Sequence, residues 1–367
     1  ELASVVGHEI AHVTQRHLAR SFEKANKLNL PVLAGMVAGI LLGAATGEGE
    51  LGAATALGLS AAGQQAQINY TRANEKEADR VGIRFLSLSG YDPTGMPEFF
   101  QKLERKNRYV GRNYPEFLRT HPITVDRIAE ATQRAEDYKK RMKRFKSQHS
   151  YRLMKTRLHV ITASAGSNLI KYYAQKASKS SVKIRPEYHY GHGLALLKKQ
   201  KYDQAIDVFK QLHKANSANS SYTVALAQAY LATNTKNNIN KAQKLLKSAL
   251  ADNPYNLVLT VNYAETLIKS GKTAQSITLL NKFSEDNFKH PDIYKLLSQA
   301  LGKEKQLVKA HIAESEYYYL NGQLDQALEQ LRLAARMTPK KDFYTLSKMS
   351  ARKRAIEEEK EKYTMDF

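Results

Sequence analysis

Near the start of the chain, apolar residues fall at Leu2, Val5, Val6, Ile10, Val13 and Leu18, the three- and four-residue spacing of a helix with one buried stripe. A helical period returns through Val125 to Glu136, through Tyr138 to Arg185 and, in paired form, beyond Pro186. The pattern predicts a mainly α fold. Pro31 to Gly63 reads differently, being rich in Ala, Gly and Leu with only Glu48 and Glu50 charged. It divides into Pro31 to Thr46, 16 residues, and Leu51 to Gly63, 13 residues, each short of the ~20 needed to span hydrocarbon. We expect two helices packed over the neighbouring cleft, or lying shallowly at a membrane surface or a hydrophobic client. A spanning hairpin is the alternative, and small residues also suit plain helix packing.

From about Pro186 the period itself is informative. Gly193, Ala205 and Phe209 occupy the small, small and aromatic positions of a tetratricopeptide unit, and Ala242, Leu246, Ala249 and Pro254 repeat its second helix. Gly271, Ser276, Leu280 and Phe283 follow, then Gly322, Ala327, Leu331, Ala334 and Pro339. In one register, Ala205, Ala242, Ser276 and Ala327 step by 37, 34 and 51 residues. That predicts about four units, a lengthened turn at Thr233 to Asn240, and one extra helix at Pro291 to Gly302. Such an α-solenoid presents a concave face to extended segments or helices, although a helical array can also serve only as a spacer.

Candidate chemistry sits in Gly7-His8-Glu9-Ile10-Ala11-His12. Two histidines four apart on a helix project toward one metal ion, and the glutamate between them is placed as the base that deprotonates the attacking water of a zinc hydrolase. Catalytic zinc takes three protein ligands. The best third candidate lies in Asn74-Glu75-Lys76-Glu77-Ala78-Asp79-Arg80, where Glu75 and Asp79 share a helix face and Glu77 points elsewhere. A carboxylate ligand plus an Asp that accepts a hydrogen bond from a ligand imidazole would complete a His2Glu site. The same run also reads as a solvated charged helix with Glu-Lys and Asp-Arg partners. His17 extends the motif, but on a continuous helix it turns away from His12 and reads as a packed or surface histidine.

These residues resemble the HtpX-related gluzincin metallopeptidases, whose third ligand opens a Glu-x-x-Ala-Asp run. The longer matches, His8 to Arg20, Asn74 to Gly82, Ser89-Gly-Tyr-Asp-Pro93 and Thr120-His121-Pro122, together with the repeats, look like the BepA-like family of periplasmic proteases and chaperones of outer-membrane assembly. The resemblance implies one Zn2+ per chain held by His8, His12 and Glu75, Glu9 as general base, and Asp79 behind a ligand histidine. It also implies an active-site place for His121, in Leu118-Arg119-Thr120-His121-Pro122. An imidazole there would either occupy the open metal position and hold the enzyme silent, or stabilise the oxyanion. Arg127 matches the family pattern too, as a residue that orients this loop or binds substrate; a helix-surface arginine is the plainer reading. The implied partners are unfolded or misassembled outer-membrane proteins and their assembly machinery, bound through the repeats in the periplasm. The implied function is zinc-dependent endopeptidase and chaperone. A scaffold with a gated metal site and an integral membrane peptidase are the competing readings.

Composition narrows this picture. The net charge is +22, and Lys139 to Arg157 alone carries nine Lys or Arg, favouring anionic headgroups or acidic polypeptides. No nucleic-acid module accompanies the charge. Cysteine is absent, which excludes a disulfide framework and a thiol nucleophile. The first ligand comes so early that the strands and helix usual before such a motif, with any signal peptide, are expected upstream of Glu1. The expected organisation is a peptidase domain at 1–137, a basic helical linker at 138–185 with a hinge at Ser178 to Ser181, repeats at 186–339, and a charged C-terminal helix or cap at 340–367 held through Tyr344, Leu346 and Met349.

Overall fold

The computed structural model describes residues 1–46, 49–110, 120–142, 145, 147–164, 166–285 and 289–365. Glu48, Leu118, Arg119 and the last two residues of the C-terminal segment lie outside them. The described residues form helices and no strand, in two compact units, Glu1–Ser147 and Gln148–Phe367. The expected mainly α class is what is found.

In the first unit, α1 (Leu2–Thr14) crosses α3 (Gly49–Leu88) where two glycines meet. A Cβ on Gly7 would stand 3.3 Å from the Gly82 carbonyl oxygen, and one on Gly82 would stand 3.2 Å from the His8 backbone nitrogen. This close approach decides which face of α1 is buried: Ser4, Gly7, His8 and Ala11 face inward. Leu2, Val6, Ile10, Val13 and Leu18 are exposed, between 48 and 77 %, so the expected apolar stripe is the outer face. Backbone contact at the glycines, rather than side-chain hydrophobicity, sets the packing. Behind it α4 (Gly95–Val110) and α5 (Val125–Arg141) close a small core of Ile83, Leu86, Met96, Phe100 and Ala131.

The two apolar pieces are not short separate helices. They are the ends of α2 (His17–Thr46) and α3, 30 and 40 residues long, which run against each other with Gly35 under Leu59 and Gly63 under Val32. Nor do they cover the cleft. Leu57 precedes Glu75 by 18 positions, about 27 Å along the helix at 1.5 Å per residue. Leu33, Val37, Ile40, Leu41 and Leu57 face solvent. No described helix is long and apolar enough to cross a membrane.

The second unit starts earlier than the repeats. Helices α6 (His149–Thr162) and α7 (Leu169–Ser178) contribute Leu153, Val160, Leu169 and Tyr173 to the same core as Tyr190, Phe209 and Tyr222. The stretch expected as a linker is therefore largely built into this unit. Ser180, in the expected hinge, is held through its carbonyl by His189 Nε2 at 2.9 Å. The helix pairs follow: α8 (Pro186–Lys198) with α9 (Tyr202–Ala215), α10 (Ser220–Ala232) with α11 (Lys236–Asp252), and α12 (Leu257–Lys269) with α13 (Thr273–Glu285). Gly193 lets the Phe209 ring pack where a Cβ would come within 2.5 Å of it. The lengthened turn at Thr233 to Asn240 is instead helix from Lys236, because Thr235 accepts from the Asn238 N–H and caps it. The extra helix is present as α14 (Pro291–Lys303), ahead of α15 (Leu307–Leu320) and α16 (Leu324–Met337). Last, α17 (Phe343–Met365) covers the end of the solenoid through Leu346, Met349 and Ile356. Tyr344 is 79 % exposed and takes no part in that cover.

Candidate metal centre

Because α1 and α3 touch at Gly7 and Gly82, the faces carrying His8 and His12 and carrying Glu75 and Asp79 oppose each other. His8 Nε2 lies 3.0 Å from His12 Nε2 and 3.4 Å from Glu75 Oε2; His12 Nε2 lies 3.3 Å from Glu75 Oε1. A tetrahedron with metal bonds of 2.0–2.1 Å has edges of about 3.3 Å, and the separations of the two imidazole nitrogens from each other and from one or the other Glu75 oxygen are near that size. His121 completes the figure, its Nδ1 being 3.0 Å from Glu75 Oε1 and 3.4 Å from His8 Nε2. His8, His12, Glu75 and His121 form a candidate metal-holding cluster. Two imidazoles, a carboxylate and a further imidazole are the chemistry zinc prefers.

Glu9, the next residue after His8, points to the open side and is half exposed; its Oε1 is 3.7 Å from His121 Nε2. Asp79 stands behind His8, with Oδ1 3.0 Å from His8 Nδ1. Arg127, read from the sequence as a residue that orients the His121 loop or binds substrate or, more plainly, as a helix-surface arginine, is 3 % exposed. Its Nε and Nη2 donate to the two Asp79 oxygens at 2.7 and 2.9 Å, and its Nη1 reaches Glu75 Oε2 at 2.9 Å and the Pro122 carbonyl at 2.7 Å. It thereby ties α5 to both carboxylates and to the residue after His121. Only the plainer, surface reading fails, because two buried carboxylates need a planar, permanently charged partner.

The charges polarise one another. Burial disfavours protonated His8, but hydrogen bonds and charge from Asp79 and Glu75 outweigh it and raise its pKa to about 9. Burial likewise opposes ionised Glu75, yet His12, His121, His8 and Arg127 hold it well below the usual carboxylate range. A carboxylate kept ionised inside a cage of imidazoles is suited to a divalent cation.

Sequence reasoning missed one layer. Arg16, with φ at +53°, breaks the helix between α1 and α2, and the turn returns His17 to His12, with the two Nδ1 atoms 2.9 Å apart. The Glu77 carboxylate meets His17 Nε2 at 3.1 Å and Arg20 Nη2 at 2.7 Å. The usable signal was the fivefold spacing itself, which fits a broken helix.

Two histidines and a glutamate brought together by α1 and α3, with the Glu9 carboxylate beside them and a tetratricopeptide solenoid following, are the arrangement of a metalloendopeptidase of the gluzincin type. Residues 1–135 match the model of Peptidase family M48, and residues 235–300 match a Tetratricopeptide repeat model. The chain is 34% identical over 337 residues to the Beta-barrel assembly-enhancing protease of Escherichia coli (strain K12), covering 91% of this chain and 67% of that one. A putative beta-barrel assembly-enhancing protease of Vibrio cholerae is 34% identical over 90% of this chain and 66% of its own length. The mitochondrial metalloendopeptidase OMA1 of Arabidopsis thaliana is 29% identical over 132 residues, 33% of this chain and 22% of that one. The chain spans about two thirds of the bacterial relatives' length. It belongs to the beta-barrel assembly-enhancing protease family of M48 peptidases.

Proposed function

We propose that the protein is a periplasmic, zinc-dependent endopeptidase that cuts misassembled outer-membrane β-barrel proteins and holds them, or components of their assembly machinery, on its solenoid. The observation that carries this reading is the spacing of His8, His12 and Glu75, whose donor atoms lie 3.0 to 3.4 Å apart, near the edge length of a zinc-sized tetrahedron, with Glu9 beside them. Held by His8, His12 and Glu75, zinc would supply a Lewis acid for the scissile carbonyl and for the attacking water. Glu9 takes the proton of that water and returns it to the leaving amine. Asp79 Oδ1, 3.0 Å from His8 Nδ1, stands where it would orient that ring, and Arg127 holds Asp79 and the His121 loop.

His121 Nδ1 lies beside His8 Nε2 and Glu75 in the same cluster, which supports a restraining role: the resting site is closed until the Thr120-His121-Pro122 segment withdraws. This favours, as a second reading, a client-binding protein that cuts rarely. A stabilising role for His121 on the oxyanion would need the ring to move first. The relatives' name supplies the β-barrel client class; the concave face of a repeat array supplies the kind of surface that binds extended segments. The solvent-facing Leu33, Val37, Ile40, Leu41 and Leu57 on α2 and α3, with Lys24 and Lys27 nearer the base of α2, favour peripheral contact with an anionic membrane over spanning. Nucleic acid is no part of the reading.

The test is Glu9→Gln. With an unfolded outer-membrane β-barrel protein as substrate, the variant should keep its zinc and lose hydrolysis. Undiminished cleavage by Glu9→Gln would remove Glu9 from the mechanism and overturn the assignment.

A further inference from the structure

Two polar arms run back from the centre, and they differ. From His8 the arm is Asp79 and then Arg127, both buried. From His12 it is a second histidine: His12 Nδ1 to His17 Nδ1 at 2.9 Å, His17 Nε2 to Glu77 Oε2 at 3.1 Å, and Glu77 Oε2 to Arg20 Nη2 at 2.7 Å. Their chemistry permits one direction of donation. If His12 offers the Nε2 lone pair to a metal, its proton is on Nδ1; His17 Nδ1 must then accept, which puts the His17 proton on Nε2, facing the Glu77 carboxylate. Arg20 keeps that carboxylate charged.

We propose that His17 is a positioning residue for the metal centre, accepting the Nδ1 proton of His12 so that His12 is fixed in the tautomer and ring orientation that ligates through Nε2, with Glu77 and Arg20 fixing His17 in turn. His17 is 3 % exposed, although it lies at the first turn of a helix whose next residue, Leu18, is 73 % exposed. The left-handed Arg16 between α1 and α2 is the device that brings it there. On an unbroken helix a residue five positions on would stand about 7.5 Å further along the axis and about 140° around it, out of reach of the His12 ring. A non-glycine residue is thus held in a disfavoured conformation where the turn serves the site. The two rings meet nearly edge to face, with centroids 4.7 Å apart and planes at 81°, which aims nitrogen at nitrogen.

The inference rests on the zinc reading, and the experiment separates the two. In the full chain, zinc affinity is measured by chelator competition, and the visible bands of the cobalt-substituted protein report ligand geometry. The parent should bind one zinc; if it binds none, the metal reading itself fails. Given that it does, His17→Leu should weaken zinc binding ~10- to 100-fold and shift the cobalt bands. His17→Asn, whose Oδ1 stands where Nδ1 does, should recover most of the affinity and the parent bands. Glu77→Gln, at a partly exposed position, should weaken zinc in the same direction by less. Parent-like affinity and bands in His17→Leu, or equal loss in the Leu and Asn variants, would reduce His17 to packing. Should His17→Leu not fold, parent-like affinity and bands in Glu77→Gln overturn the proposal.

Discussion

Replacing Arg127 with Met keeps most of its volume and removes four polar contacts at once, two to Asp79, one to Glu75 and one to the Pro122 carbonyl. Asp79 and Glu75 are 5 and 3 % exposed, so water cannot replace the guanidinium. Breaking a buried ion pair from one side costs about 3–5 kcal/mol, because the partner charge is left uncompensated. Protonated His8 beside the same carboxylates favours the lower end of that range. For a unit of the size of Glu1–Ser147, where 1 kcal/mol moves the midpoint by about 2–4 °C, the loss corresponds to roughly 6–20 °C in Tm. Arg127→Lys should fall between parent and Met, since an ammonium cannot make the planar fork. The assay is urea unfolding of the metal-free protein, followed by hydrogen exchange in peptides of α3 and α5. A whole-chain signal would mix two units that need not unfold together. A loss below about 1 kcal/mol in Arg127→Met, the value of an ordinary surface position, would refute the reasoning.

His121→Ala should raise basal cleavage of an unfolded protein at unchanged zinc content if the ring restrains the site; a fall in kcat of ~10- to 1000-fold would instead assign it to the oxyanion, and no change would exclude both. Gly82→Ala places a methyl group 3.2 Å from the His8 backbone nitrogen and should cost about 1–3 kcal/mol while lowering zinc affinity, measured by unfolding and chelator competition. Gly193→Ala should destabilise the second unit by a similar amount through the Phe209 ring and leave zinc affinity alone. A fragment from Gln148 to Phe367 should fold and capture a client, whereas one from Ser181 loses Leu153, Val160, Leu169 and Tyr173 from its core and should unfold at lower urea.

The repeat units were legible because their signal is local: Gly193 and Phe209 are a contact between neighbouring helices, and the period spells it out. Spacing likewise put His8 with His12, and Glu75 with Asp79, on shared faces. What escaped depended on distant chain. Apolar Val6 and Ile10 are exposed because Gly7 meets Gly82, 75 positions away. Arg127 is buried because two carboxylates of α3 require it, a demand invisible in the sequence around it. His17 is packed, one of the two readings its spacing allowed, but its contact with His12 escapes for a nearer reason: a continuous helix across Gln15 and Arg16 would part the two rings, and Arg16 adopts a backbone conformation that side-chain pattern does not announce. The apolar stretch after Pro31 was cut into short pieces by composition, while the backbone runs through it as part of two long helices.

Zinc content per chain, measured at saturating zinc after removal of loosely bound metal, bears most directly on the centre. The account predicts one zinc in the parent and in Glu77→Gln, and its loss in Glu75→Gln. Full occupancy in Glu75→Gln with loss in Glu77→Gln would contradict it and move the third ligand to the other carboxylate.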